Sequence, residues 1–255
     1  MKFILFIPLV FVLFSCNSSS SDKKAKQGDS TGITNANPVA ASLITAEQVP
    51  ASAKYEGKLQ EAWQWTDQSG DNILITSAVE PYEDKEKNEY GEEGWTSALN
   101  AYLYVKKDSD YQLLWKANDG EKSCPFDITC EFIKGSTSVT DLDNDGIAEA
   151  TIQYRLACRS DVSPAEMKLI MHEGAEKYLL QGLSWLKASP EDSFTVNESD
   201  ANLETLPGYN KTEDEFMKTF GRYDSEKGFA GAPPEFLNYA RKQWMKFVKE
   251  KIGLE

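Results

Sequence analysis

The sequence predicts a mainly β, α+β fold: an antiparallel sheet or sandwich with a C-terminal amphipathic helix packed on it. Three observations lead there. From about residue 51 to 190, short runs rich in Val, Ile, Thr, Tyr and Trp alternate with turn residues, as antiparallel strands do. The acidic loop Asp141-Leu142-Asp143-Asn144-Asp145-Gly146 has no second copy, which argues against a repeat architecture such as a propeller. After Pro233-Pro234, Phe236, Ala240, Trp244, Phe247, Val248 and Ile252 recur at helical spacing.

Taken in order, the chain opens with Lys2 and an apolar run from Phe3 to Phe14, interrupted by Pro8 and ending Ser15-Cys16. The run is too short to span a bilayer as a stable helix. A charged start, a short apolar stretch and a small residue before the cut mark residues 1–16 as a secretory signal. Leu13-Phe14-Ser15-Cys16 resembles the lipobox of a bacterial lipoprotein, so Cys16 is the expected lipidation site and the membrane the expected anchor. Residues 17–50 are rich in Ser, Lys, Asn, Ala, Gly and Thr, and read as a flexible tether because they hold too little apolar surface to offset ordering.

Residues 51–190 form the expected β domain. Leu59–Trp65 and Ile73–Val79 flank the turn Asp67-Gln68-Ser69-Gly70-Asp71-Asn72, and Glu80–Glu93 reads as a solvated acidic loop. Ala98–Lys106 and Tyr111–Lys116 make a hairpin about Lys107-Asp108-Ser109-Asp110. Ile128–Lys134, Thr137–Thr140 and Ala150–Ala157 continue the sheet through the acidic loop. Met167–His172 and Lys177–Gln181 form a last hairpin around Glu173-Gly174-Ala175, preceded by Ser163-Pro164-Ala165-Glu166, which has the look of one capped helical turn. Residues 191–255 are expected to be loop and helix packed on the β domain. Exposed Trp63, Trp65 and Trp95 would suit sugar stacking, but core packing is the expected role of such residues.

The acidic loop carries the chemistry. Asp141, Asp143 and Asp145 alternate, Gly146 permits a sharp turn, Ile147 offers a backbone carbonyl and Glu149 closes the set directly or through water. A hard cation such as Ca²⁺ takes six to eight oxygens, and a loop of this length can wrap them around one point. The EF-hand pattern is not met, because its twelfth position is Ile152 and the flanks are strand-like. The loop instead resembles the strand-loop-strand calcium sites of FG-GAP and VCBS-type β repeats. A solvated Asp/Asn/Gly turn is the plainer alternative.

A net charge of −14 argues against nucleic acid as a partner, since basic patches dominate that affinity. Beyond Cys16 the chain has Cys124, Cys130 and Cys158, which allows one disulfide and leaves one thiol over. Folding a hairpin about Asp145 puts Cys158 opposite roughly Phe132, with Cys130 and Cys124 both in conceivable reach. His172 is the only histidine and lies within an expected strand, which leaves little room for Ser-His-Asp or Cys-His chemistry. No catalytic residue is assigned.

The loop Val139–Glu149, with Cys158-Arg159-Ser160-Asp161-Val162-Ser163-Pro164 and Lys168-Leu169-Ile170-Met171 downstream, resembles a family of bacterial envelope lipoproteins described as surface polysaccharide biosynthesis proteins. The likeness covers about Cys124–Gly182, and more loosely Phe236–Ala240 and Trp244. Cys124-Pro125-Phe126-Asp127 also fits, and so implies Cys124–Cys158 as the disulfide. The resemblance further implies a role in making or displaying surface polysaccharide. The expectation is a lipid-anchored, non-enzymatic protein of the cell envelope, in the outer membrane of a Gram-negative cell. It would carry one structural Ca²⁺ and bind an envelope polysaccharide or a protein partner. The alternative is a carboxylate-based glycan-processing enzyme.

Overall fold

The computed structural model describes residues 39–250, except 89, 90, 188 and 190. The expected signal segment, Cys16, the tether as far as residue 38, and Ile252 of the helical stripe lie outside the described residues.

Two antiparallel sheets carry the fold. The first is a meander of β1 (Ser42–Leu43), β2 (Lys58–Asp67), β3 (Gly70–Asp84), β4 (Gly94–Lys107) and β5 (Asp110–Cys124), each strand paired with its sequence neighbour. The second contains β6 (Asp127–Phe132), β7 (Ser138–Thr140), β8 (Glu149–Arg159), β9 (Glu166–Glu173) and β10 (Glu176–Leu183). Its order is β10-β9-β8-β6, with β7 also paired to β8.

Alternation along the strands sets three apolar layers. Between the sheets, Ala150, Ile152, Tyr154 and Leu156 of β8 meet Trp65, Leu74, Leu99, Leu103 and Trp115 of the first sheet. The outer face of that sheet, with Ile73, Ile75, Tyr102 and Tyr104, is covered by Ile44 and Ala53. The outer face of the second sheet, with Met167, Leu169 and Met171, is covered by the C-terminal segment. There the single α-helix, α1 (Pro234–Phe247), buries Phe236, Ala240 and Trp244 completely, followed by Val248. Proline suits the first helical turn because the N–H it lacks would have no partner there. Each large side chain in this stripe contributes roughly 1.5–3 kcal/mol of burial, so the stripe holds the helix down.

The fold departs from the sequence expectation in four places. Val39–Pro50, expected to end the tether, forms β1 against β2 and a short 3-10 turn, and it buries Ile44. Ser163–Ala165 is not a helical turn, because Asp161 Oδ1 accepts from both the N–H and Oγ of Ser163 and so takes over the capping side chain locally. Strands β3, β4 and β5 run beyond their expected ends, and Glu80–Asp84 is strand rather than loop. The register opposite β8 is also shifted: Cys158 faces Ile128, whereas Phe132 faces Tyr154. Ile133–Thr137 loops out between Phe132↔Tyr154 and Ser138↔Thr151, which a simple hairpin count does not include.

Cys124, at the end of β5, is bonded to Cys158 on β8 with a Cα–Cα distance of 5.5 Å, so the disulfide ties one sheet to the other. Cys130 is free and half-buried against the inter-sheet core, and burial raises its thiol pKa. Trp65 is a core residue with its indole N–H on Asp67. Trp63 is half-buried against the same core, and Trp95 is 44% exposed. The bridge closes a loop of sequence separation 34. On the chain-entropy account, replacing both cysteines by serine costs about 3–4 kcal/mol. Urea unfolding of the C124S/C158S protein against the oxidised parent measures this, and an unchanged midpoint would refute it.

Candidate metal centre

The acidic loop sits where the two sheets are pinned together. It leaves β7 and returns into β8, so Thr140 faces Glu149 across the base of the hairpin. Two main-chain conformations make the turn: Asn144 at φ +63° and Gly146 at φ +86°, both left-handed. Asparagine tolerates that region and glycine enters it freely. A Cβ at this position would also lie 2.1 Å from Gln68 Nε2, so a larger residue would displace that side chain.

Gln68 belongs to the β2–β3 turn of the other sheet. Its N–H donates to the Gly146 carbonyl (2.9 Å) and its Nε2 to the Asp145 carbonyl (2.8 Å). Next to it, Asp67 Oδ2 accepts from the Ala148 N–H at 3.1 Å and from the Trp65 indole at 2.8 Å. Burial would raise the Asp67 pKa, but these donors and Ser69 outweigh it and hold the carboxyl below its ordinary value.

Within the loop each aspartate uses one oxygen to hold the backbone. Asp141 Oδ1 accepts from the Gly146 N–H, Asp143 Oδ1 from Asp145 and Asp145 Oδ1 from Ile147. Among the described residues their Oδ2 atoms accept no hydrogen bond. Ile147 thus enters the loop through its N–H. The carboxylates fall into two overlapping groups, Asp141–Asp143–Glu149 and Asp143–Asp145–Glu173, with one oxygen from each member within 4.8 Å of the others. Asp143 belongs to both.

Glu149 is fully buried and takes donors from Thr140 Oγ1 (2.8 Å) and the Leu142 N–H (3.0 Å). Burial pushes its pKa to about 8, and the neighbouring Asp143 adds to the rise. Glu173, directly across from Glu149 in the β8–β9 ladder, is raised by burial and by Asp143, Asp145 and Asp141. Its Oε1 is buried with no hydrogen-bond partner. An orphaned carboxylate oxygen beside three aspartates fits a hard cation, whose charge would relieve the mutual repulsion. The cluster is able to hold a metal ion.

No family model, curated protein or solved structure matches this chain.

Sequence reasoning placed Asp141, Asp143, Asp145 and Glu149 in one set; the structure groups Asp141, Asp143 and Glu149, and puts Asp145 with Asp143 and Glu173. Sequence reasoning missed Glu173, which read as part of a turn. The available signal was period-2 alternation: Met167, Leu169, Met171 and Glu173 share one face of β9, so an acid continues an otherwise buried apolar row. It also missed Asp67 and Gln68, whose roles depend on a contact between distant turns. His172 lies apart from the loop side chains on the other face of β9, stacked on Trp115 at 4.0 Å between ring centroids. Burial drops its pKa to about 4, so the ring is neutral at ordinary pH.

The raised pKa values give a pH dependence with a defined sign. Below pH 4.5 both glutamates are protonated in the folded and unfolded chain, and neither lowers stability. As pH rises towards 8 the unfolded chain ionises them freely, while the cation-free fold resists, so their contribution to stability falls. In chelator, the melting temperature of E149Q should therefore decline less than that of the parent between pH 5 and 8. Parallel declines would show that Glu149 is not held protonated by the fold.

Proposed function

We propose that this chain is a lipid-anchored cell-envelope protein whose acidic loop holds one structural Ca²⁺. On this reading the sandwich serves surface polysaccharide assembly or display as a binding protein rather than as a catalyst. The observation that carries the calcium reading is the buried, unpartnered oxygen of Glu173, whose carboxylate lies within ligand reach of Asp143 and Asp145. Carboxylate oxygens from a loop and an adjacent strand, with the Ile147 carbonyl and water to complete them, suit the flexible six-to-eight coordination of Ca²⁺. Mg²⁺ demands a tighter octahedron and gives up its water reluctantly.

The ion would have a mechanical role. Asp141, Asp143 and Asp145 come from the loop, Glu149 from β8 and Glu173 from β9, while Gln68 and Asp67 fasten the same loop to the first sheet. One cation there would hold a loop, two strands and the seam between sheets. The anchoring reading rests on the signal-like start and Cys16. The polysaccharide reading rests on the resemblance of Cys124–Gly182 to envelope lipoproteins, and the Cys124–Cys158 bond agrees with what that resemblance implies.

Two experiments test this reading. A ligand that binds only the folded state stabilises by about 2.7 kcal/mol at a hundredfold excess over Kd. Ca²⁺ should therefore raise the melting temperature, Mg²⁺ should raise it less, and D143A should abolish the response while still folding. A parent protein indifferent to both Ca²⁺ and chelator returns the loop to an ordinary acidic turn. For the anchor, C16A expressed in a bacterial host should accumulate as unprocessed precursor and take up no labelled palmitate. Continued labelling of that variant would exclude Cys16 as the acylated residue.

A further inference from the structure

The sheets do not cover each other fully. Strand β5 is the last of the first sheet, and beyond it the inward face of the β9–β10 hairpin opens into a cleft of about 300 Å³. The pattern along that hairpin changes with its cover. Ile170 and Leu179 pair at its centre and join the inter-sheet core, whereas the flanking pairs are Lys168↔Gln181 and His172↔Lys177.

In a chain of net charge −14, this cleft is lined by three lysines and one carboxylate, since Lys116 and Asp119 of β5 face Lys168 and Lys177. The carboxylate is already engaged. Asp119 accepts from Lys168 Nζ (2.7 Å), from the Tyr154 hydroxyl (2.9 Å) and from the Gly120 N–H (3.0 Å). It therefore fixes Lys168 in place, and Glu166 also lies 3.5 Å from that ammonium. Lys116 lies over the Tyr102 ring, 3.5 Å from exposed Glu56. Among the described residues Lys177 makes no ion pair.

A buried polar group adds a second line of evidence. His172 lines the cleft and is only 6% exposed, yet its Nδ1 meets no partner in hydrogen-bond geometry. The Glu176 backbone makes a weak hydrogen bond to the ring, outside that geometry. Behind the imidazole, the Trp115 indole N–H is buried and unpartnered as well. Buried donors and acceptors are costly to leave unmet, so a polar ligand that reaches the imidazole gains what the fold leaves unsatisfied there; Trp115 is not part of the cleft lining.

We propose that this cleft binds a small hydroxylated carboxylate, of the size and kind of a sugar acid. The lysines supply attraction for the acid group, while the imidazole with the Asn118 and Gln181 amides meets hydroxyls. The Ile170–Leu179 strip takes an apolar ring face. The volume lies at the lower end of small-molecule sites, roughly 300–1,000 Å³, which suits one sugar unit and not an extended chain. The inference stands on the cleft alone, independent of the anchor and of the calcium loop.

His172 is the chain's only histidine, so in untagged protein its imidazole resonances report the cleft floor directly. Titration of the mature chain with D-glucuronate at low ionic strength and constant pH should shift those resonances saturably. D-glucose and inorganic phosphate should bind at least tenfold more weakly. Lys116 and Lys177 are exposed, so K116Q/K177Q should fold normally and weaken glucuronate binding at least tenfold. Silent imidazole resonances, an equal response to phosphate or glucose, or unchanged affinity in the double variant would each overturn the proposal.

Discussion

Strand β8 is buried on both faces and polar on one of them, and the molecule meets that polarity at the strand's two ends, while the side chains of Thr151 and Gln153 between them find no hydrogen-bond partner among the described residues. Its inter-sheet face is Ala150, Ile152, Tyr154 and Leu156. Its other face is Glu149, Thr151, Gln153 and Arg155, none more than 7% exposed. Buried charge is tolerated only where hydrogen bonds or opposite charge compensate for lost water. Glu149 finds donors in Thr140 and Leu142 at the loop end. At the far end, Arg155 donates to the carbonyls of Phe247 and Lys249. The Phe247 carbonyl ends α1, where helices leave acceptors unpaired and concentrate negative charge, and the Lys249 carbonyl lies two residues beyond it. A single strand thus braces the candidate metal centre at one end and the C-terminal helix at the other.

The chain after the helix returns to the same strand. Glu250 accepts from Arg159 of β8 at 2.8 Å and from the Ala165 N–H at 2.6 Å, and it also bonds the Ser184 hydroxyl. Burial alone would raise the Glu250 pKa, but these donors reverse the shift and keep the group ionised. Helix and sheet are therefore joined by buried charge around the edge of an apolar interface. The interface supplies the larger energy, while the charges fix where the helix stops, since a buried ion without its partner is strongly unfavourable.

What could be read from sequence follows the range of the interactions. Strands with one wet face, such as β2 and β10, announce themselves by alternation, and α1 by its stripe of Phe236, Ala240 and Trp244. The aspartate loop is legible because its ligand groups are local. Glu173 was not, since its partnership with Glu149 exists only once β8 and β9 pair. The Cys158 register failed for a related reason: hairpin counting assumes an unbroken ladder, and Ile133–Thr137 leaves it. Residues 39–50 were legible in composition but not in fate, because Ile44 has a place to pack only after the first sheet has formed.

The same reasoning explains why polar residues gather at two places of different character. At the loop, carboxylates from two strands and one turn converge, and their mutual repulsion is the unresolved electrostatic term. At the open side of the β9–β10 hairpin, the inter-sheet core ends because the first sheet has no further strand, and lysines replace apolar residues. The two sites share strand β9, with Glu173 directed to one face and the adjacent His172 to the other. A period of two sends neighbouring residues to opposite sides. Consecutive residues thereby serve a candidate cation centre and a candidate anion cleft, and the rigid pleat between them keeps charges of opposite sign apart.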